Sequence, residues 1–242
     1  MVAVLVTGGT GTLGRPTVGR LREAGHDVRV LSRRSGPGLV TGDLGSGQGV
    51  ASALQGVATV VHLATSARDD QASATLAREA AAAGVEHLVV MSIVGVDRIP
   101  LPYYRRKLAS EHLVAASGVP CTILRATQFH DLVARLFAAQ RWSPALLAPS
   151  FLLQPIDVGD VADRLTEICA AAPAGRVPDI GGPETRSGPA FGRQWAAAAR
   201  SRRPVLPLRL PGRIFAGYRA GFHLVAGPAR GRRTFGQFLE GP

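Results

Sequence analysis

Lysine is almost missing from this chain. Of 28 basic side chains 27 are arginine, and the one lysine is Lys107. Where only a positive charge is wanted, this sequence uses arginine, so the exception marks a position with a narrower demand. Cysteine is nearly absent too. Cys121 and Cys169 stand apart in apolar surroundings. That excludes a disulfide-rich scaffold and a cysteine-based metal site, and both read as small core residues in a reducing compartment. Aromatic residues make up only 5%. No window approaches the ~20 apolar residues that span a bilayer. The start M-V-A-V-L-V-T-G-G lacks the basic region and cleavage site of a signal peptide. A cytoplasmic, soluble protein is expected. Acid is missing from one end: residues 186–242 hold eleven arginines and one carboxylate, Glu240, while residues 1–185 are close to neutral. The net charge of +11 therefore belongs almost wholly to the C-terminal quarter.

What is present suits a globular chain. In 242 residues, 46% are hydrophobic and 19% charged, enough apolar material for a core and too little charge for disorder. Short Val/Leu-rich runs at 2–6, 28–31, 59–63, 88–91 and 121–124 alternate with helical spacing at 13–24, 70–83 and 103–117. Strand–helix alternation of this kind predicts an α/β fold with a doubly wound, Rossmann-like parallel sheet covered on both faces. Beyond residue 125 the pattern loosens. Helices are expected at 128–140, 161–172, 189–200 and within 211–225. Strands are expected at 152–158 and 177–180, and the proline-spaced P-V-L-P-L-R-L-P should be extended. The expected division is a nucleotide-binding domain over 1–185 and a small, basic C-terminal substrate lobe over 186–242.

The first strand runs into T-G-G-T-G-T-L-G, residues 7–14. Gly9, Gly11 and Gly14 fit G-x-G-x-x-G between a strand and a helix, the context that gives this short pattern meaning. Glycine permits the tight turn and lets backbone approach a pyrophosphate, which then faces free N–H groups at a helix start. A plain strand-to-helix turn is the alternative. Gly8, Gly9, Thr10, Gly11, Thr12, Leu13 and Gly14 are the expected cradle. The second strand ends in L-S-R-R-S with no acid to hold a ribose 2′-hydroxyl. Ser32, Arg33 and Arg34 instead offer two guanidiniums to a 2′-phosphate, which favours NADP(H) over NAD(H).

These residues resemble the short-chain dehydrogenase/reductase superfamily, and more narrowly its atypical, NmrA-like NAD(P)-binding branch. The resemblance is strong to about residue 185 and weaker beyond. It implies that T-G-D-L (41–44) places Asp43 and Leu44 near the adenine. It implies that H-L-A-T-S (62–66), with Ala64 and Thr65, runs along the cofactor. M-S-I-V-G (91–95) resembles the strand end carrying the active-site hydroxyl, here Ser92. L-R-A-T-Q-F-H (124–130) resembles the start of the substrate side, and Q-P-I-D-V-G-D-V-A (154–162) is also typical of the branch.

Tyr103 and Lys107 lie four residues apart, so they share one helix face. The superfamily's Y-x-x-x-K arrangement implies Lys107 on the nicotinamide ribose and Tyr103 as proton donor or acceptor during hydride transfer. A compact ammonium reaches a ribose hydroxyl more readily than a planar guanidinium fork does. Ser92 would hold a substrate carbonyl. Gln128, Phe129 and His130, after the sixth strand, are expected on the substrate side, with His130 as a further acid/base candidate or a solvent-facing residue at a helix start. His62 reads as a core histidine, and Asp157 and Asp160 as helix caps. No metal-ligand spacing occurs. The expected partner is a small organic substrate, with neither nucleic acid nor membrane, and the protein a monomer or homodimer. Two functions remain open: an NADPH-dependent oxidoreductase acting on a carbonyl or conjugated, quinone- or enone-like group of a hydrophobic substrate, or a non-catalytic NADP(H) sensor.

Overall fold

The structure, a computed structural model, describes residues 2–65, 69–228 and 230–241. Its first half contains β1 (Ala3–Thr7), α1 (Gly14–Glu23), β2 (Asp27–Ser32), β3 (Leu39–Thr41), α2 (Val50–Ala53), β4 (Thr59–His62), α3 (Asp69–Ala82), β5 (His87–Ile93), α4 (Pro102–Ala115) and β6 (Cys121–Ala126). There follow α5 (His130–Ala138), β7 (Leu146–Pro149), β8 (Leu152–Leu153), α6 (Val158–Ala170), β9 (Gly175–Arg176) and β10 (Arg186–Ser187). The chain ends through α7 (Gly188–Ala198), β11 (Val205–Leu208), α8 (Arg213–Arg219) and α9 (Phe235–Leu239).

Seven strands form a parallel sheet in the order β3-β2-β1-β4-β5-β6-β9. The order reverses between β1 and β4, and open α/β sheets bind ligands outside the carboxyl ends of strands at such a point. The inner strands have apolar centres because both faces are covered: Val4, Leu5, Val6, Val60 and Val61 are fully buried. Gly25 (φ +84°) ends α1. Its N–H donates to the Arg22 carbonyl and that of His26 to Leu21.

The chain divides into two compact units interleaved along the sequence, not separated by one cut. The first comprises Met1–Ser92, Pro102–Arg125 and Val161–Pro178; the second comprises Ile93–Leu101, Ala126–Asp160 and Asp179–Pro242. In the second, Val133, Phe137, Leu146, Ala148, Phe191 and Phe235 build a core. The arginine-rich segment is integral to it. The Asp160 carboxylate accepts the backbone N–H groups of Arg232 (2.8 Å) and Arg233 (3.1 Å), and Asp157 pairs with the Arg233 guanidinium (3.3 Å).

Several expected elements differ. The strand expected at 152–158 shrinks to Leu152–Leu153, since Pro155 has no N–H for a ladder. Helix α6 starts at Val158, earlier than the spacing suggests, because the Asp157 Oδ1 accepts the Gly159 N–H (2.7 Å). The strand expected at 177–180 lies instead at Gly175–Arg176, beside Thr122 and Ile123. The extended proline segment becomes β11 and pairs in parallel with β7, a strand the sequence pattern does not reveal. The helix within 211–225 is confined to α8. Helix α9 is a short element announced only by its capping box, Thr234 with Gln237.

Candidate cofactor and active site

The glycine loop has no room for side chains at its key points. Gly8 has φ +70°, and a Cβ there would lie 2.7 Å from the Ala64 nitrogen. One on Gly14 would lie 2.1 Å from the Gly8 carbonyl oxygen, so the helix can start this close to the strand only without it. Thr10, Gly11 and Thr12 at the tip are exposed, while Gly9, Leu13 and Gly14 are buried. The Gly11 N–H donates back to the Gly8 carbonyl (3.0 Å), closing the turn ahead of α1. An exposed backbone tip at the start of a ten-residue helix fits a pyrophosphate.

Strand register explains what stands beside the loop. Thr7 pairs with His62, and His62 with Val90, so Thr7, His62, Val90 and Ser92 share one sheet face. On that face the Ala64 N–H donates to the Thr7 Oγ1 (3.3 Å), and the Thr7 hydroxyl is hydrogen-bonded to His62 Nδ1 (2.7 Å). His62 Nε2 is hydrogen-bonded to the Ser73 hydroxyl (3.1 Å). Burial, reinforced by the Lys107 charge, pushes the His62 pKa down to about 3, so the imidazole is neutral. His62 is thus the core histidine the sequence suggested, and its two hydrogen bonds also tie β1, β4 and α3 together directly behind the loop.

Helix α4 brings up the catalytic candidates. Pro102 occupies its first position, where a missing N–H costs nothing. Tyr104, Lys107, Glu111 and Val114 form its buried stripe. Lys107 is only 6% exposed, close enough to His62 for its charge to be felt there. Tyr103 is half-buried at the helix start, its ring centroid 6.2 Å from that of Tyr104. Ser92, at the end of β5, is buried, and its Oγ has no hydrogen-bond partner. An unsatisfied buried hydroxyl costs ~1–3 kcal/mol, a cost that a ligand oxygen would remove.

One residue pair escaped the sequence reading. Arg125, at the end of β6, grips Glu111 of α4 with both arms: Nε to Oε1 at 2.9 Å and Nη2 to Oε2 at 2.6 Å. Both side chains are about 95% buried. The pair fixes α4 against the sheet and with it the heights of Tyr103 and Lys107. Its signal was present, since Glu111 follows Lys107 by four residues and lies on the same stripe.

At the end of β2, Arg33 and Arg34 are exposed, and the Ser32 hydroxyl accepts the Arg34 N–H (3.0 Å). The Asp43 Oδ1 accepts the Gly45 N–H (2.9 Å), shaping the turn after β3, and Leu44 is buried. Ala64 is half-buried and Thr65 exposed; Ser66, the last residue of H-L-A-T-S, lies outside the described residues. Among the described residues no cluster of three or more His, Cys, Asp or Glu could hold a metal. Burial pushes the Cys169 thiol up to about 12, away from reactivity.

In the second unit, both polar atoms of the Gln128 side chain are shielded from solvent without a hydrogen-bond partner. Phe129 is half-buried and bridges Ile156. His130 is 1% exposed, not solvent-facing. Its Nε2–H donates to the Arg233 carbonyl (3.0 Å), and its ring packs against Phe235 and Phe238. Burial lowers its pKa. These contacts anchor the C-terminal segment.

Glycine cradle, reversed strand order and a buried lysine on α4 define a Rossmann-type nucleotide-binding protein. The chain belongs to the NAD(P)H-binding family whose model matches residues 8–170. It is 33% identical over 202 residues to a (4-alkanoyl-5-oxo-2,5-dihydrofuran-3-yl)methyl phosphate reductase of Streptomyces griseus, covering 75% of this chain and 68% of that one. It is 30% identical over 149 residues to photosystem II assembly factor Ycf39 of Trieres chinensis, covering 54% of this chain and 47% of that one. The chain thus spans about half the length of that assembly factor. In fold it is similar to the NADPH-dependent quinone oxidoreductase QOR2 of Escherichia coli, solved with NADPH, at TM-score 0.84, 18% identity and 98% of each chain. It is an NAD(P)H-binding, oxidoreductase-like protein. No helix among the described residues is long and apolar enough to cross a membrane.

Proposed function

We propose that this protein is an NADPH-dependent oxidoreductase that delivers hydride to a carbonyl or conjugated group of a small, hydrophobic organic substrate. The observation that carries this reading is the buried Ser92 hydroxyl, which lacks a partner in the unit that also holds Tyr103 and Lys107. A protein that only sensed nucleotide would have no use for that unsatisfied donor. The nicotinamide group supplies the hydride; the glycine loop would hold its pyrophosphate, and Arg33 and Arg34 its 2′-phosphate. Lys107 holds the ribose, Ser92 donates to the substrate oxygen as charge develops there, and Tyr103 delivers the proton. The likeness to a reductase that acts on an unsaturated lactone phosphate supports a conjugated acceptor.

A second reading, a non-catalytic NADP(H) sensor, is favoured by the likeness to an assembly factor. Titration with NADPH and NADH, followed by mixing with a panel of quinones, ketones and enones, separates the two. The enzyme reading expects NADPH oxidation on at least one acceptor, lost about a hundredfold or more in Tyr103→Phe while NADPH affinity is kept. Turnover unchanged by that substitution removes Tyr103 from the chemistry.

A further inference from the structure

The second unit presents an apolar face to solvent, assembled from segments distant in sequence. Leu132 and Leu136, four apart on α5, lie outside the stripe of Val133 and Phe137 that enters the core, and are 59% and 43% exposed. The Gln140 side chain ties the end of α5 to β7. Its Nε2 donates to the carbonyls of Leu136 (3.0 Å) and Leu147 (3.1 Å), and its Oε1 accepts the Leu147 N–H (2.7 Å). Leu147 points outward between the buried Leu146 and Ala148, and its in-register neighbour on β11 is the exposed Leu206. Trp142, in the turn between α5 and β7, is 85% exposed, with the Arg141 guanidinium 5.5 Å from its ring centroid. Arg203 clamps that turn through the carbonyls of Gln140 and Ser143.

The charge around this face has one sign. Residues 132–149 and 201–209, which build it, contain five arginines, Arg135, Arg141, Arg202, Arg203 and Arg209, and no carboxylate. The acid just before them, Asp131, has a carboxylate oxygen buried. Exposed tryptophan, leucines and arginines without acid match the chemistry of a membrane interface. The indole sits at headgroup level, leucine enters the acyl boundary, and guanidinium pairs with lipid phosphate. A second copy would bring arginine against arginine, and a nucleic acid would leave the leucines without apolar partners. We propose that this face docks the protein on an anionic lipid surface. No single stretch of sequence carries such an amphipathic pattern; the turn at Gln140 and the β7–β11 pairing create it. A protein docked in this way would meet hydrophobic substrates where they concentrate.

The test is co-sedimentation of the full chain with phosphatidylcholine vesicles, with and without about one-third phosphatidylglycerol. The expected result is binding that requires phosphatidylglycerol, weakens with salt, and blue-shifts tryptophan emission. Trp142→Ala should weaken binding at least about tenfold, and Arg141→Gln about fivefold. Both positions are exposed, so melting temperature and NADPH affinity should not change. Equal binding to both vesicle types, no binding to either, or full binding by Trp142→Ala would overturn the proposal. So would concentration-dependent self-association, or nucleic-acid binding, abolished by the same substitutions.

Discussion

Acidification should destabilise this protein through His62, and the amount can be worked out. The ring is 3% exposed and lies within reach of the Lys107 charge, so its pKa falls to about 3. In the unfolded chain the same imidazole titrates at about 6.5. Between these values the unfolded state binds a proton that the folded state refuses. Stability therefore declines as pH drops below about 6.5 and stops declining on this account only near 3. At about pH 4.5, two units below the unfolded value, the loss from His62 alone is on the order of 3 kcal/mol. His62→Gln removes the titration while its amide can still hydrogen-bond Thr7 and Ser73. Urea unfolding of both proteins at about pH 7 and about pH 4.5 isolates this contribution, because His87, His130 and His223, all lowered by burial, act alike in each. The variant should lose ~2–3 kcal/mol less than the parent across that interval. Parallel losses would show that His62 is either protonated in the fold or open to water, and the relay behind the glycine loop would be wrong.

Two other substitutions address the cofactor and its support. Arg33→Ala with Arg34→Ala should weaken NADPH at least ~30-fold, from about 2 kcal/mol of lost charge-assisted bonding, and NADH by no more than about threefold. Equal losses by isothermal titration would refute the 2′-phosphate assignment. Glu111→Gln strands the buried Arg125 charge and should cost ~3–5 kcal/mol in chemical denaturation. A cost below ~1 kcal/mol, as for exposed pairs, would mean that the pair does not hold α4 in place.

Much of this protein is local in its physics, and the sequence by itself determined that part. Runs such as Val4-Leu5-Val6 must be buried on both faces, and their alternation with helices leaves the parallel sheet as the solution. Gly8 and Gly14 are dictated by backbone contacts between near neighbours and across to Ala64, so the loop is legible as a motif. The four-residue step from Tyr103 to Lys107 is set by helix geometry alone. Elsewhere the decisive partners are distant, and only the tertiary structure chose them. Register across three strands put Thr7, His62 and Ser92 on one face. The grip of Arg125 on Glu111 required β6 and α4 to meet. His130, next to residues expected to face substrate, was drawn inward because the Arg233 carbonyl and two phenylalanine rings arrive from the far end of the chain. The segment from residue 186 onward looked like an appendage by charge. It became part of a core through Phe191, Ala196 and Phe235, and Asp157 and Asp160 hold Arg232 and Arg233 beside it across more than seventy residues, a separation that no local pattern encodes.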